Sequence, residues 1–305
     1  MRTNLRIKLA VITSSVLVIV LASMWLINQP SSNETEEESR LSFYHSICHT
    51  DTIERNYPST IELIIDEDTS KHQIVSMNEI QTIDHGTDYQ ITGRKTDKEN
   101  RTILTGCLDA RKYSFKEGNR PFNVISALPR ELRVTNKGGN HTLHTIPSEI
   151  EITKLRKDKH DFPVFAVEND YYLDYQFPST IGGTEILLDI TSAKAEIIGL
   201  CLFNDKGEKV DIYLSLPEEN LVMERTGSSN RLKNIPEPTK ATIQKADKYR
   251  LDIFVDNYSV EIFLNDGATT MSNLVFPIEP YNRMSFYAKG GSYVVDTFNV
   301  YRLGL

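Results

Sequence analysis

The sequence predicts an all-β protein behind an N-terminal apolar helix. Three observations point there. Short β-branched and aromatic runs recur through most of the chain. Gly, Asn and Asp turn signals separate them at close spacing. A single uncharged stretch, Leu9 to Ile27, stands apart at the start. The 305 residues allow one large domain or two ordinary ones. With 39% hydrophobic and 25% charged residues, wholesale disorder is excluded. A net charge of −8 argues against nucleic acid as a partner, because phosphates need Lys and Arg.

The first element is residues 1–30. Arg2, Arg6 and Lys8 precede the uncharged run, which approaches the ~20 residues of a membrane-spanning helix. Basic residues before it and Glu34, Glu36, Glu37 and Glu38 after it orient the N-terminus to the cytoplasm. The body is therefore expected outside the cytoplasm: extracellular, periplasmic or membrane-anchored. The run serves as either an uncleaved anchor or a signal peptide. Residues 31–40 are polar and acidic and read as a linker. The single Trp, Trp25, belongs to the apolar run.

Strands are expected from there on. Residues 59–65 and 72–77 alternate around a turn. Residues 103–106, 132–134 and 141–145 follow, the last two joined by the hairpin turn Asn136-Lys137-Gly138-Gly139. Residues 171–177, 185–190, 195–203, 209–215, 250–256, 259–264, 269–276, 284–288 and 293–302 complete the series. Asn204-Asp205-Lys206-Gly207 and Asn265-Asp266-Gly267 are turns in which glycine accepts φ > 0. In 259–264, Val260, Ile262 and Leu264 share one face. Glu261 points the other way, and Phe263 breaks the polar alternation, so both faces are expected to be partly covered. Residues 241–248 read as the one helical stretch of the body. Many short strands at this spacing make a sandwich or barrel.

Several segments resemble glycoside hydrolase family 32, the family of invertases, levanases and inulinases. Leu251-Asp-Ile-Phe-Val-Asp-Asn-Tyr-Ser-Val-Glu-Ile-Phe-Leu-Asn-Asp-Gly267, followed by Val275-Phe276-Pro277, is similar to the signature of its C-terminal sandwich. Gly199-Leu-Cys-Leu202 resembles its G-L-x-L strand. Leu128-Pro-Arg-Glu-Leu-Arg133 resembles the P-R-E-L segment where its catalytic propeller hands over to the sandwich. Ile83-Asp-His-Gly-Thr-Asp-Tyr89 and Arg101-Thr-Ile-Leu-Thr-Gly106 resemble its last blade, with Cys107 where the pattern has Trp. The resemblance implies a partial propeller blade in residues 41–140 and a β-sandwich in residues 146–305.

It also implies a chemistry. The family hydrolyses fructosyl bonds with retention, which needs two carboxyl groups ~5–5.5 Å apart. The nucleophile motif W-[LM]-N-D-P-N-G, the R-D-P motif and the E-C motif are not found in this sequence. No catalytic residue is therefore assigned. The expectation is an exported, truncated relative of fructan- and sucrose-hydrolysing enzymes, non-catalytic alone. Its sandwich would serve stability, assembly or weak contact with a fructan or sucrose-type glycan. Two alternatives stay open: an active β-fructofuranosidase, through unrecognised carboxylates or a complementing chain, and a cell-surface interaction module with no sugar role. An open blade edge calls for a protein partner or self-association.

Asp88 and Tyr89 match the substrate end of the last blade and are the candidate substrate contacts. Asp256 and Glu261 belong to the sandwich and carry no catalytic role in the resemblance. Tyr171, Tyr172, Tyr175, Tyr281 and Tyr287 are available to stack on sugar rings. His45, Cys48 and His49, and His141 with His144, cluster in sequence, but loop histidines explain them and no metal or cofactor is expected. Cys48 and Cys107 could pair as a disulfide, while Cys201 between Leu200 and Leu202 reads as a small core hydrophobe.

Overall fold

The computed structural model describes residues 60–64, 76–99, 101–137, 140–173, 175–177, 183–234 and 236–304. All described residues belong to one unit, within Leu41–Leu305. The N-terminal apolar run, the acidic linker and the cluster of His45, Cys48 and His49 lie outside the described residues, as does Cys48 of the expected disulfide. Among the described residues no helix is long and apolar enough to cross a membrane.

Strands β1 (Thr60–Ile64) and β2 (Ser76–Thr82) pair antiparallel. A blade follows, made of β3 (Tyr89–Thr96), β4 (Thr102–Asp109), β5 (Val124–Ser126), β6 (Arg130–Lys137) and β7 (Asn140–Pro147). Its order is β3-β4-β6-β7, with β5 beside β4. Among the described residues one α-helix, α1 (Glu149–Leu155), leads out of the blade. Next come β8 (Arg156–Phe162), β9 (Phe165–Val167), β10 (Asp170–Tyr172), β11 (Thr184–Thr191), β12 (Ile197–Phe203), β13 (Lys209–Ser215) and β14 (Asn220–Glu224). The chain ends with β15 (Thr239–Thr242), β16 (Tyr249–Val255), β17 (Ser259–Leu264), β18 (Thr269–Leu274), β19 (Arg283–Lys289) and β20 (Tyr293–Leu303). These build two antiparallel sheets. The first runs β18-β17-β16-β11-β20-β8, with β9 also on β20; the second runs β10-β19-β12-β13-β14-β15.

The two sheets form a sandwich because alternate residues of each are apolar. Ile186, Leu188 and Ile190 of β11 meet Ile198, Leu200 and Leu202 of β12 in one core, together with Ile253, Ile262 and Phe286. A second cluster joins the blade to the sandwich. It holds Leu104, Leu108, Phe115, Phe122 and Ile125 with Tyr258, Leu274 and Phe276. A third, with Leu128, Ile152, Phe254, Phe263 and Leu303, lies where α1 covers the outer face of the first sheet.

The all-β class and the sandwich hold. Several local expectations do not; the strand expected over 171–177 is Asp170–Tyr172, and residues 175–177 are irregular. Residues 241–248 are not helical: Thr239 and Ala241 are buried while Lys240 and Thr242 are exposed, the two-residue period of a strand paired with β14. The helix sits instead at α1. Its first turn carries Glu149 and Glu151 and its last Lys154, charges that suit the helix dipole. The period-two pattern of Ile150 and Ile152 disguised it. Strands β3, β5, β8, β9 and β14 were not anticipated. β8, Arg-Lys-Asp-Lys-His-Asp-Phe, is a sheet edge exposed along its middle, so it carries no apolar alternation to read.

Candidate functional site

The family-like motifs other than Gly199–Leu202 converge on the junction between blade and sandwich. The outer faces of β17 and β18 form the floor. In β17, Val260, Ile262 and Leu264 enter the sandwich core, so Ser259, Glu261 and Phe263 face outward. Register sets Glu261 opposite Ser272 and Phe263 opposite Thr270 on β18. All six residues of each strand are buried. Both faces are thus covered, more fully than the break in alternation at Phe263 predicted.

Arg130 is the centre. It is fully buried, and its guanidinium donates to Asp84 at 2.8 Å, Glu261 at 3.0 Å and the Ser272 hydroxyl at 2.6 Å. It lies 3.8 Å from the Tyr89 ring centroid and 5.1 Å from that of Phe263, a cation–π sandwich. Asp84 also accepts from the backbone N–H groups of Gly86 and Ser272. Glu261 also accepts from the N–H of Leu128 and from the Ser272 hydroxyl. One cation therefore ties the loop before β3, the start of β6 and strand β17 together. Burial costs the guanidinium part of its hydration, but Tyr89, Asp84 and Glu261 surround it and hold its proton more firmly than usual. Burial pushes the Tyr89 phenol up to about 12, Arg130 opposing.

A second knot lies alongside. Asp88 is buried and accepts from the Tyr113 hydroxyl at 2.8 Å, the N–H of Leu274 at 2.7 Å and Arg225 at 3.3 Å. Lys112 reaches it from the surface at 2.7 Å. Arg225 also donates to the carbonyl of Leu274 and to the Thr87 hydroxyl. The N–H of Thr87 in turn donates to Asn273.

Backbone fit completes the junction. Gly86 packs so closely that a Cβ there would stand 1.8 Å from the Ser272 carbonyl oxygen. The turn Asn265-Asp266-Gly267 has φ of 51°, 54° and 75°, and the Gly267 carbonyl accepts from the N–H of Thr145 on β7. His144 bonds the Asp266 carbonyl and the Thr135 hydroxyl. Phe276, from the Val-Phe-Pro segment, is fully buried among Tyr113, Phe115 and Phe122, with ring centroids 5.1, 4.9 and 6.0 Å away.

The sequence-nominated pair therefore lies inside this junction. Asp88 faces Arg225 and the β18 end; Tyr89 lies beneath Arg130 and beside Gly106. Both are nearly inaccessible, at 1% and 3% exposure. Glycoside hydrolysis needs carboxyl groups open to the sugar, whereas Asp84, Asp88 and Glu261 are filled by donors and shut from solvent. Asp256 is buried too and accepts from the N–H of Asn257 in the turn before β17. Arg225, Ser272 and Asn273 were not foreseen. No motif marks Arg225, which follows the apolar run Leu221–Met223 after the charged Glu224. Among the described residues no cluster of His, Cys, Asp and Glu is arranged to hold a metal ion.

Residues 151–302 match the family model for the C-terminal part of the glycosyl hydrolases of family 32. The chain is 26% identical over 239 residues to a sucrose-6-phosphate hydrolase of Zymomonas mobilis, covering 76% of this chain and 44% of that protein. It is 24% identical over 261 residues to a levanase of a Bacillus species, covering 80% of this chain and 28% of that one. Exo-inulinase from Aspergillus awamori shares the fold at a TM-score of 0.61 and 18% identity, over 78% of this chain and 47% of that chain. A fructosyltransferase from A. japonicus does so at 0.63 and 14%, over 77% and 48%. The chain spans less than half the length of these relatives. Residues 151–302 are thus a C-terminal domain of the glycosyl hydrolase family 32 type.

Proposed function

We propose that the chain is a stabilising and glycan-contacting member of the sucrose- and fructan-hydrolysing family, carried outside the cytoplasm by its N-terminal apolar run and non-catalytic on its own. One observation carries the reading. Three carboxylates of its family-like motifs, Asp84, Asp88 and Glu261, are committed to Arg130, Arg225 and backbone N–H groups at the junction. A retaining glycosidase needs one ionised and one protonated carboxyl group facing the sugar. Carboxylates held by arginines inside a packed junction work as anchors instead. Their service is to seat a blade on the sandwich, and the sandwich is left to meet the glycan.

The test is fructose release from sucrose, inulin and levan by the purified full chain in detergent, beside an intact family enzyme. Release no greater than a buffer blank is expected. Turnover that persists through repurification overturns the reading and directs substitution to Asp84 and Asp88.

A further inference from the structure

The outer face of the second sandwich sheet carries an open concavity of about 710 Å³. Ile198, Leu200, Leu202, Met284 and Phe286 point into the core, so Gly199, Cys201, Ser285 and Tyr287 point out. Register lines up Asp170, Tyr287, Gly199 and Tyr213 across four strands. The next row is Tyr172, Ser285, Cys201, Asp211 and Glu224. Cys201 is buried as expected but forms this floor rather than the core, and burial pushes its thiol up to about 12.

Tyr287 lies flat. A Cβ on Gly199 would stand 2.1–2.5 Å from three atoms of its ring, so the ring rests directly on the Gly199 backbone and turns its other face to the concavity. Tyr172, 72% exposed, stands at the rim. Tyr213 flanks the opposite side, about 16 Å from Tyr172 across three strand spacings and one two-residue step along the strand. The other tyrosines are otherwise engaged: Tyr171 stacks on Phe165, Tyr175 packs on Phe162 and Phe177, and Tyr281 is buried with its hydroxyl on the Ser228 carbonyl.

We propose that this face binds a linear, neutral fructo-oligosaccharide, with Tyr287 and Tyr172 as stacking platforms and Ser285, Asp211 and Glu224 bonding its hydroxyls. The identity of the sugar rests on the family reading above; the geometry of the groove does not. Charge selects the ligand class. Lys209 bonds Asp211 at 2.7 Å, and Lys289 stands 5.9 Å from the Tyr287 ring centroid, so two ammonium groups nearly balance Asp170, Asp211 and Glu224. An anion meets three carboxylates there, and an apolar peptide leaves them unpaired on burial. A polyhydroxyl chain offers both donors for the carboxylates and an apolar ring face for the tyrosines.

Isothermal titration of the full chain in detergent tests this, with an inulin-type tetrasaccharide and a maltotetraose of equal length. Saturable binding of the fructan is expected. Tyr172→Ala and Tyr287→Ala each weaken it by about fivefold or more, the effect of losing one aromatic platform, and Tyr287→Phe retains it. Because Tyr172 is so exposed, its variant stays folded even if Tyr287→Ala does not. Absence of saturable fructan binding overturns the proposal, as does unchanged affinity in Tyr172→Ala and a folded Tyr287→Ala. Binding of the maltotetraose alone overturns the sugar assignment. The two failures are distinguishable: fructose release refutes the non-catalytic function and leaves the groove standing, whereas missing affinity refutes the groove and the glycan contact and leaves the non-catalytic reading standing.

Discussion

The two sheets of the sandwich share one core and differ in what covers their outer faces. The first sheet carries the blade over β17 and β18 and helix α1 nearby. It buries Arg130, Asp84 and Glu261 completely. The second sheet leaves its outer face open, with tyrosines and mixed charges in a shallow groove. The same period-two strand serves both purposes. A covered face must meet its charges largely within the protein, because an unmet charge there has no water to turn to; single atoms such as the Nε of Arg130 and of Arg225 are left without a partner. An open face has no such obligation, and its polar groups stay available to a ligand. Charge on the first sheet is structural for this reason, and charge on the second is recognition chemistry.

Substitutions at the covered face should therefore be the costly ones. Arg130→Ala strands two buried carboxylates and is expected to destabilise the protein by about 3–5 kcal/mol. Phe276→Ala empties the plug between blade and sandwich at a similar cost of about 3–5 kcal/mol. Denaturant unfolding of both variants measures this. A loss below about 1 kcal/mol for either would break the contrast between the faces.

A smaller effect, of opposite sign, lies beside α1. The Oδ1 atom of Asp252 is buried without a hydrogen-bond partner. Burial, then the nearby Glu185, hold its carboxyl well above the usual carboxylate range, with Arg156 opposing. The folded state thus keeps the Asp252 proton to higher pH than the unfolded chain does. This group's contribution to stability falls as pH rises from the ordinary aspartate value through the raised one. Asp252→Asn should stabilise the protein by about 1 kcal/mol at pH 8, with the gain shrinking toward pH 4. Melting curves across that range check it, and a pH-independent difference would rule out titration as the cause. The smallest effect belongs to the open face: Tyr172→Ala should change stability by no more than about 0.5 kcal/mol, measured by the same unfolding curves.

How much could be read in advance depended on distance along the chain. Alternation in 185–190, 195–203 and 209–215 and the glycine turns are local, so those strands were legible. Edge strands such as β8 were not, because a strand with one paired side and a solvated face needs no apolar pattern. For the site, the motifs were legible as motifs, yet their purpose was not. Asp88 looked like the end of a substrate cleft, and the fold turned it toward Arg225, 137 positions away.

The sequence by itself determined the all-β class, the sandwich, its turns and the family-like motifs, because alternation and φ > 0 at glycine act over a few residues. Only the tertiary structure decided that Arg130 would join Asp84 to a Glu261 lying 131 positions beyond it. It alone laid Tyr287 on Gly199 across the β12–β19 register. Both depend on which strands become neighbours, and that choice is made by burying one shared core, to which no single segment holds the information.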